Sequence, residues 1–389
     1  MKILFITLEY DKAIAGGAGR AVNRLAQYIG AKTTLHVMLI QNKLYYLKWI
    51  GLYRMGNHEW VRQSYVWLRF ERIIHLIRRE KYDAVHIFHA GYNNARITGI
   101  IKKEFPQLKI IYSCHSIIKY ERNIRFNRPN MLEYENFIVN HSDHIHFLNQ
   151  SSLKYFEESY ALEGRQSSYS LIPNGIAEDD FQGKDADFGR KLEQLLKKDG
   201  KITVLCMSRW SWGKGLEYFL DAVPQVTARY PNIQFVVAGR KSRSWEYKYK
   251  EYLRFINQKI AALSGYVIPL GWLNNGQRNA LFGFADIWVM PSLLEYFPYS
   301  ILEPMIAKIP IISSRIDCVL EILRDKEECL FYEPNSPEQL ADQILSLVYN
   351  AELRRKLAEK AYQKAKELYH WERVGARYLE MYQTVIAGK

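Results

Sequence analysis

The feature that most constrains this 389-residue chain is a two-block alternation of short apolar runs with helix-spaced segments. Residues 2–8 read as a buried strand. Gly16-Gly17-Ala18-Gly19 reads as a flexible loop, and Arg20 to Ile29 as a helix with apolar residues at Ala21, Val22, Leu25, Ala26 and Ile29. Strand-like runs recur at 35–40, 84–88, 110–112 and 145–148, with helix-like stretches such as 67–79 and 95–105 between them. The turn Ile172-Pro173-Asn174-Gly175-Ile176 and the acidic stretch 178–187 then mark a boundary. Beyond it, strands are expected at 202–207, 233–238, 267–271, 287–291, 310–313 and 330–332. Helices are expected at 215–229, 337–350 (capped by Ser336) and 351–368. Such alternation predicts an α/β chain with parallel sheets covered on both faces. The expectation is two doubly wound domains, residues 1–175 and 176–370, facing across a cleft, followed by an amphipathic helix within 371–389. Ligands in such sheets bind beyond the carboxyl ends of the strands.

Composition narrows the class. Apolar residues make up 48% of the chain, enough for large cores and too many for wholesale disorder. Cys114, Cys206, Cys318 and Cys329 lie far apart with no C-x-x-C pair, which argues against a disulfide scaffold or zinc knuckle and for a reducing, cytoplasmic setting. The first apolar run is too short for a signal peptide, and no apolar stretch is long enough for a membrane-spanning helix. The formal net charge is +13, and residues 1–170, with 24 basic and 14 acidic side chains, hold +10 of it. The stretch 43–81 interleaves nine basic residues with Tyr45, Tyr46, Trp49, Tyr53, Trp60, Tyr65, Trp67 and Phe70. That pattern fits a helix pair with aromatics on the core and arginines in water. It also fits peripheral contact with an anionic membrane, at the inner face if the protein is cytoplasmic. No nucleic-acid-binding motif accompanies it, so nucleic acid is not an expected partner.

Two segments carry chemistry. Arg209-Trp-Ser-Trp-Gly-Lys214-Gly215 lies between a strand and a helix. Two cations beside a helix N-terminus make an anion site, although the same residues also suit a solvated surface turn. In Pro291-Ser-Leu-Leu-Glu295-Tyr-Phe-Pro-Tyr-Ser-Ile-Leu-Glu303, eight residues of continuous helix would turn by about 800° and leave the two carboxylates unstacked. A loop followed by a helix lets Glu295 and Glu303 converge on sugar or ribose hydroxyls, with the amides of Phe297, Tyr299 and Ser300 towards phosphate. The plainer reading makes Glu303 a first-turn acid and Glu295 a loop charge. A glycosidase pair would need a sugar-polymer cleft that nothing in the sequence supplies.

These segments, with their order and spacing, resemble the retaining family 4 glycosyltransferases, whose fold is GT-B: two Rossmann-like domains with a C-terminal helix crossing back to the first. The match runs nearly end to end. Gly16-Gly17 resembles the family's glycine loop, Tyr112-Ser-Cys-His115 its strand-end histidine, and Ile172-Pro-Asn-Gly-Ile its interdomain signature. Arg209 with Lys214-Gly215 resembles its phosphate-binding pair, Leu270-Gly271-Trp272 its base loop, and Glu295 with Glu303 its paired-glutamate motif. The resemblance implies transfer of a sugar from a nucleotide diphosphate, a UDP-sugar by frequency in the family, without a metal or other cofactor. The acceptor would be a glycan or lipid-linked molecule of polysaccharide biosynthesis. It further implies that Arg209 and Lys214 stabilise the diphosphate, Glu303 holds ribose, Glu295 orients the donor sugar, and His115 contacts that sugar. Gly16, Gly17, Gly271, Trp272, Phe297, Pro298, Tyr299 and Ser300 complete the donor contacts. A nucleotide-sugar epimerase or a non-catalytic partner subunit could share the architecture.

The chain departs from the family's glycines at Ser208, Tyr296 and Lys308. Asp185-x-Asp187 lies in the acidic stretch rather than at a strand end and reads as linker. His141, Asp143, His144 and His146 flank a short strand whose alternate residues face opposite ways, which weakens a metal reading. Gly16-Gly17-Ala18-Gly19 does not fit G-x-G-x-x-G, so no nicotinamide site is expected.

Overall fold

The computed structural model describes residues 1–10, 16–43, 46–55, 70–121, 129–160, 168–196, 200–239 and 248–388; the side chains of 41–43, 46–55, 70–72 and 129 are outside that description. The chain forms two compact units. One runs to Gly175 and takes in the chain again from Trp371; the other holds Ile176–His370.

In the first unit the elements are β1 (Lys2–Thr7), α1 (Gly17–Gly30), β2 (Thr34–Lys43), β3 (Tyr46–Met55), α2 (Phe70–Glu80), β4 (Ala84–Ile87) and α3 (Tyr92–Glu104). There follow β5 (Lys109–Cys114), α4 (Ile118–Glu121), α5 (Pro129–His141), β6 (His144–Phe147), α6 (Gln150–Ser159) and β7 (Ser168–Leu171). Among the described residues they build a seven-stranded sheet in the order β3-β2-β1-β4-β5-β6-β7. The central strands are parallel and buried on both faces, as in β1, where Ile3 to Ile6 have no exposed surface. A parallel strand between helix layers needs this continuous apolar sequence.

Two expectations fail here. Residues 46–55 are not helical but form β3, antiparallel to β2 with Leu35 opposite Met55. Tyr, Trp and Ile suit a strand, and Lys48 and Arg54 suit the edge position that β3 occupies. Tyr45, Trp60, Tyr65 and Trp67 lie outside the described residues. Secondly, the glycine loop is not a loop throughout: Gly16 caps α1 and Gly17 is already helical.

The second unit contains α7 (Ala186–Leu196), β8 (Ile202–Met207), α8 (Leu216–Thr227), β9 (Ile233–Ala238), α9 (Tyr249–Ala262), β10 (Val267–Gly271), α10 (Asn275–Phe282) and β11 (Ile287–Met290). It continues with α11 (Tyr299–Ile306), β12 (Ile311–Ser314), α12 (Asp317–Leu320), β13 (Cys329–Tyr332), α13 (Pro337–Tyr349) and α14 (Ala351–Leu368). Its sheet is parallel, in the order β10-β9-β8-β11-β12-β13. The order reverses beside β8, so the ends of β8 and β11 are the topological switch point where such sheets take ligands. Phe219, Val223, Phe235, Val237 and Ile344 fill the core against the sheet. The acidic stretch is largely exposed, as a linker would be, but it is ordered. Glu178–Phe181 makes a turn of 3-10 helix in which Asp180 accepts from the Ala177 amide at 3.0 Å, and Asp185 accepts from Phe188 at 2.9 Å to open α7.

The last helix, α15 (Trp371–Ala387), returns to the first unit. It packs on α1, where a Cβ at Gly375 would collide with the Tyr28 ring. Tyr28 donates to the Glu372 carbonyl at 3.2 Å. Burial of Val374, Tyr378, Tyr382 and Val385 holds the helix, at ~1.5–3 kcal/mol for each large apolar side chain.

Candidate functional site

The site in the second unit is assembled by two loops. β8 ends at Met207, and the following turn is closed by the amides of Ser211 and Lys214, which donate to the carbonyls of Arg209 and Ser211 at 3.1 Å each. Gly215 then caps α8 at φ 64°, and a Cβ there would run into the carbonyl of Pro291 at the end of β11. Any other residue would meet both backbone strain and a collision. Leu293 donates to Gly213 at 2.9 Å, so the loops lie backbone against backbone. That contact brings Lys214, 7% exposed, into an ion pair with Glu295 across 81 residues of sequence. Ser292 Oγ also donates to Glu295 Oε1, at 2.9 Å. Arg209 is half-buried at the head of the same turn.

Glu303, on α11 and 3% exposed, accepts from Arg278 Nη1 at 2.9 Å. Arg278, on α10, is itself 7% exposed; its guanidinium also reaches Asn279 Oδ1 at 3.0 Å and the Asp180 carbonyl at 3.3 Å. The structure therefore ties Glu295 and Glu303 to separate cations. Sequence reasoning missed Arg278. The available signal was the capping box of Asn274 and Gln277, which fixes the start of α10 but not the face on which Arg278 is buried. Pro298 caps α11, with Tyr299 and Ser300 in its first turn; Phe297 is buried and meets the Tyr369 ring edge-on. Gly271 closes β10 by accepting from Gly239 at 2.7 Å, and Trp272 beside it is 65% exposed.

In the first unit, Glu9 follows β1 and accepts from the Gly16 amide at 2.9 Å, placing a carboxylate at the α1 N-terminus where the helix dipole favours it. A Cβ at Gly19 would overlap this side chain. His115 lies just beyond β5, stacked on Phe88 with ring centroids 6.2 Å apart. Its Nε2 is buried and makes no hydrogen bond. Burial first, then His146 and His89, holds its pKa well below the usual value. A neutral imidazole with one unanswered nitrogen is suited to a ligand hydroxyl. Glu9 and His89, at the ends of neighbouring strands, were not singled out from sequence; His89 Nδ1 accepts from the Leu8 amide at 3.4 Å. Glu135 of α5, within 3.4 Å of the Tyr112 hydroxyl, is fully buried. It accepts from the Ile118 amide at 2.9 Å and from Tyr160, and burial pushes its pKa up to about 7.

The departures from the family's glycines are not equivalent. Lys308 alone of the three adopts a left-handed conformation, φ 54°, where glycine is the least strained choice. It is held there by Glu359 at 2.8 Å and by the Tyr362 ring. Tyr296 is buried, at 5% exposure. The histidine group around β6 is committed to separate partners: His141 to the Phe137 carbonyl, Asp143 to Lys102, His144 to Ser168 and Ser170. Among the described residues no cluster of three His, Cys, Asp or Glu is placed to hold a metal.

The chain has relatives among known proteins. Residues 15–180 match the Glycosyltransferase Family 4 model, and residues 187–364 match that of Glycosyl transferases group 1. The chain belongs to this family of GT-B glycosyltransferases. It is 27% identical to the phosphatidyl-myo-inositol mannosyltransferase of Mycobacterium leprae over 58% of this chain and 56% of that one. Such matches span about half the length of this and several other curated relatives. Among solved structures, sucrose-phosphate synthase from Thermosynechococcus elongatus superposes with a TM-score of 0.75 at 17% identity, covering 100% of both chains. Anabaena HepE in complex with UDP-glucose superposes at 0.73 and 17% identity, covering 99% of this chain and 100% of that one. At such identities these two likenesses concern the fold.

Proposed function

We propose that the chain is a retaining hexosyltransferase that moves a sugar from a UDP-sugar to a glycan or lipid-linked acceptor without a metal. The observation that carries this reading is the contact of Lys214 with Glu295 at the switch point of the second sheet. A cation and a carboxylate side by side match a sugar joined to a phosphate: the ammonium answers the phosphate and the carboxylate answers the hydroxyls.

Lys214 and Arg209 stabilise the diphosphate as negative charge grows on it in the transition state. The Tyr299 and Ser300 amides add the α11 dipole, with Phe297 and Pro298 shaping that turn. Glu303, oriented by Arg278, holds ribose hydroxyls. Trp272 stacks on the base, and Gly271 gives it room. Glu295 orients the donor sugar, and His115 offers Nε2 to one of its hydroxyls. Gly16 and Gly17 let backbone come close to the diphosphate. No side chain is assigned as general base; the leaving phosphate takes the acceptor proton. UDP is favoured because the HepE complexes contain UDP or UDP-glucose. A lipid-linked acceptor is favoured by the name of the mycobacterial relative and by the basic first 170 residues. The setting proposed is the cytoplasm, at the inner face of the membrane; among the described residues no helix is long and apolar enough to cross it.

Incubation with UDP-sugars in the presence of a chelator tests the reading. Release of UDP with the donor's anomeric configuration kept in the product is the expected result. Inversion, or dependence on a divalent ion, contradicts it.

A further inference from the structure

Beneath the carboxyl ends of β4, β5 and β6, four side chains and one carbonyl form a continuous buried chain of hydrogen bonds. Tyr382 of α15 lies 2.7 Å from His86 Nδ1, and His86 Nε2 lies 2.7 Å from Ser113 Oγ. Ser113 Oγ is 2.7 Å from His146 Nδ1, and His146 Nε2 is 2.8 Å from the Ile172 carbonyl. His86, Ser113 and His146 are wholly buried, as is Tyr382.

One end of this chain fixes the rest. The Ile172 carbonyl can only accept, so His146 carries its proton on Nε2. Burial keeps His146 neutral, with burial pushing its pKa down to about 3, so its Nδ1 can only accept. Ser113 must therefore donate to His146 and accept from His86 Nε2–H. His86 Nδ1 then accepts from Tyr382. Every hydroxyl and imidazole proton points the same way, from α15 towards β7. Tyr378, also on α15 and 3.2 Å from His146 Nε2, can only accept from it.

His115 is two residues beyond Ser113, just past the end of β5, and its amide donates to the Ser113 carbonyl at 3.2 Å. Its ring meets His146 edge-on, with centroids 6.3 Å apart, and stacks on Phe88, which in turn lies 3.9 Å from the His86 ring. Both ring nitrogens of His86 and His146 have partners; Nε2 of His115 does not. We propose that Ser113 is a positioning residue for His115: through the one-way chain it sets the His146 ring that His115 meets and the His86 ring that backs Phe88 under His115, and it ties both to the C-terminal helix. The effect on turnover rests on the transferase reading above, whereas the proton positions do not.

Long-range proton–nitrogen spectra of the full chain with nitrogen-15 histidine test the inference directly. His86 and His146 should both show the neutral Nε2–H tautomer at pH 7. An Nδ1–H tautomer or an imidazolium at either overturns it, whatever the protein does to nucleotide sugars. Ser113→Ala should shift the His115 ring signals and lower kcat for UDP-sugar turnover between about tenfold and a hundredfold, with KM for the donor unchanged. Ser113→Thr, which keeps the hydroxyl, should restore both. Wild-type kcat and an unmoved His115 signal in Ser113→Ala would refute the positioning role. If Ser113→Ala does not fold, Tyr382→Phe, which deletes one oxygen at the start of the chain, must move the His86 signals and leave the His146 tautomer in place; unmoved His86 signals overturn the chain.

Discussion

A buried ion pair contributes less by its own attraction than by what its loss leaves behind. Glu303→Ala would leave the Arg278 guanidinium buried without its carboxylate, so it should lower stability by ~3–5 kcal/mol as well as weaken donor binding. Glu303→Gln keeps an acceptor and separates the two effects: unfolding in urea should show a smaller loss, while nucleotide affinity stays reduced. Equal stability of Glu303→Ala and wild type would refute the pairing. Gly215→Ala should cost about 1–2 kcal/mol from the left-handed backbone alone, and more from the collision with Pro291, again read by urea unfolding. Full stability of that variant would contradict the described contact between the two loops. Lys214, Glu295 and Glu303 were legible in sequence because they sit in motifs with fixed spacing. Arg278 was not, because nothing in Asn274-Asn275-Gly276-Gln277-Arg278 separates a buried guanidinium from a solvated one. Only packing decides that. His86 was not singled out at all, and His146 was weighed only as a metal ligand, because their partners come together only when three strands and α15 pack.

At the scale of elements, the buried parallel strands were readable because a strand covered on both faces must be apolar throughout; β7, Ser168-Tyr-Ser-Leu with its partly exposed faces, was not. β3 was misread because its basic and aromatic residues carry no clean period, and pairing with β2 rather than local sequence makes it a strand. The order of the acidic turn was not readable, because it comes from Asp180 and Asp185 answering nearby amides, which composition does not reveal. The β4–β6 layer also sets a pH limit. In the unfolded chain His146 titrates near 6.5, whereas burial in the folded chain pushes it down to about 3. Between those values only the unfolded chain takes the proton, so the stability this residue supports is complete above pH 6.5 and is lost as pH falls. At pH 4.5 that loss is about 2–3 kcal/mol. His144, pushed down to about 4 by burial, acts in the same direction. Urea unfolding at pH 7 and pH 4.5 should therefore show a marked fall in stability that His146→Gln reduces. An equal fall in the variant would contradict the assignment.

For the whole molecule, charge is unevenly shared. Most of the +13 belongs to the first 170 residues, while the paired-cation site lies in the second unit. If the front half meets an anionic surface, sedimentation with phosphatidylserine vesicles should fall as salt rises, at ~1 kcal/mol for each Lys or Arg near the surface. Charge reversal between Lys43 and Lys81 should abolish it. Binding that ignores both would refute an electrostatic contact.

The central claim is that the turns after β8 and β11 hold a nucleoside diphosphate. Calorimetric titration of the full chain with UDP, GDP and ADP, repeated on Lys214→Ala, tests it most directly. UDP should bind in preference to the other two. Loss of the charge-assisted contact, ~1.5–3 kcal/mol, should weaken that binding by about tenfold to a hundredfold. Absence of binding by all three nucleotides, or UDP affinity unchanged in Lys214→Ala, would contradict it.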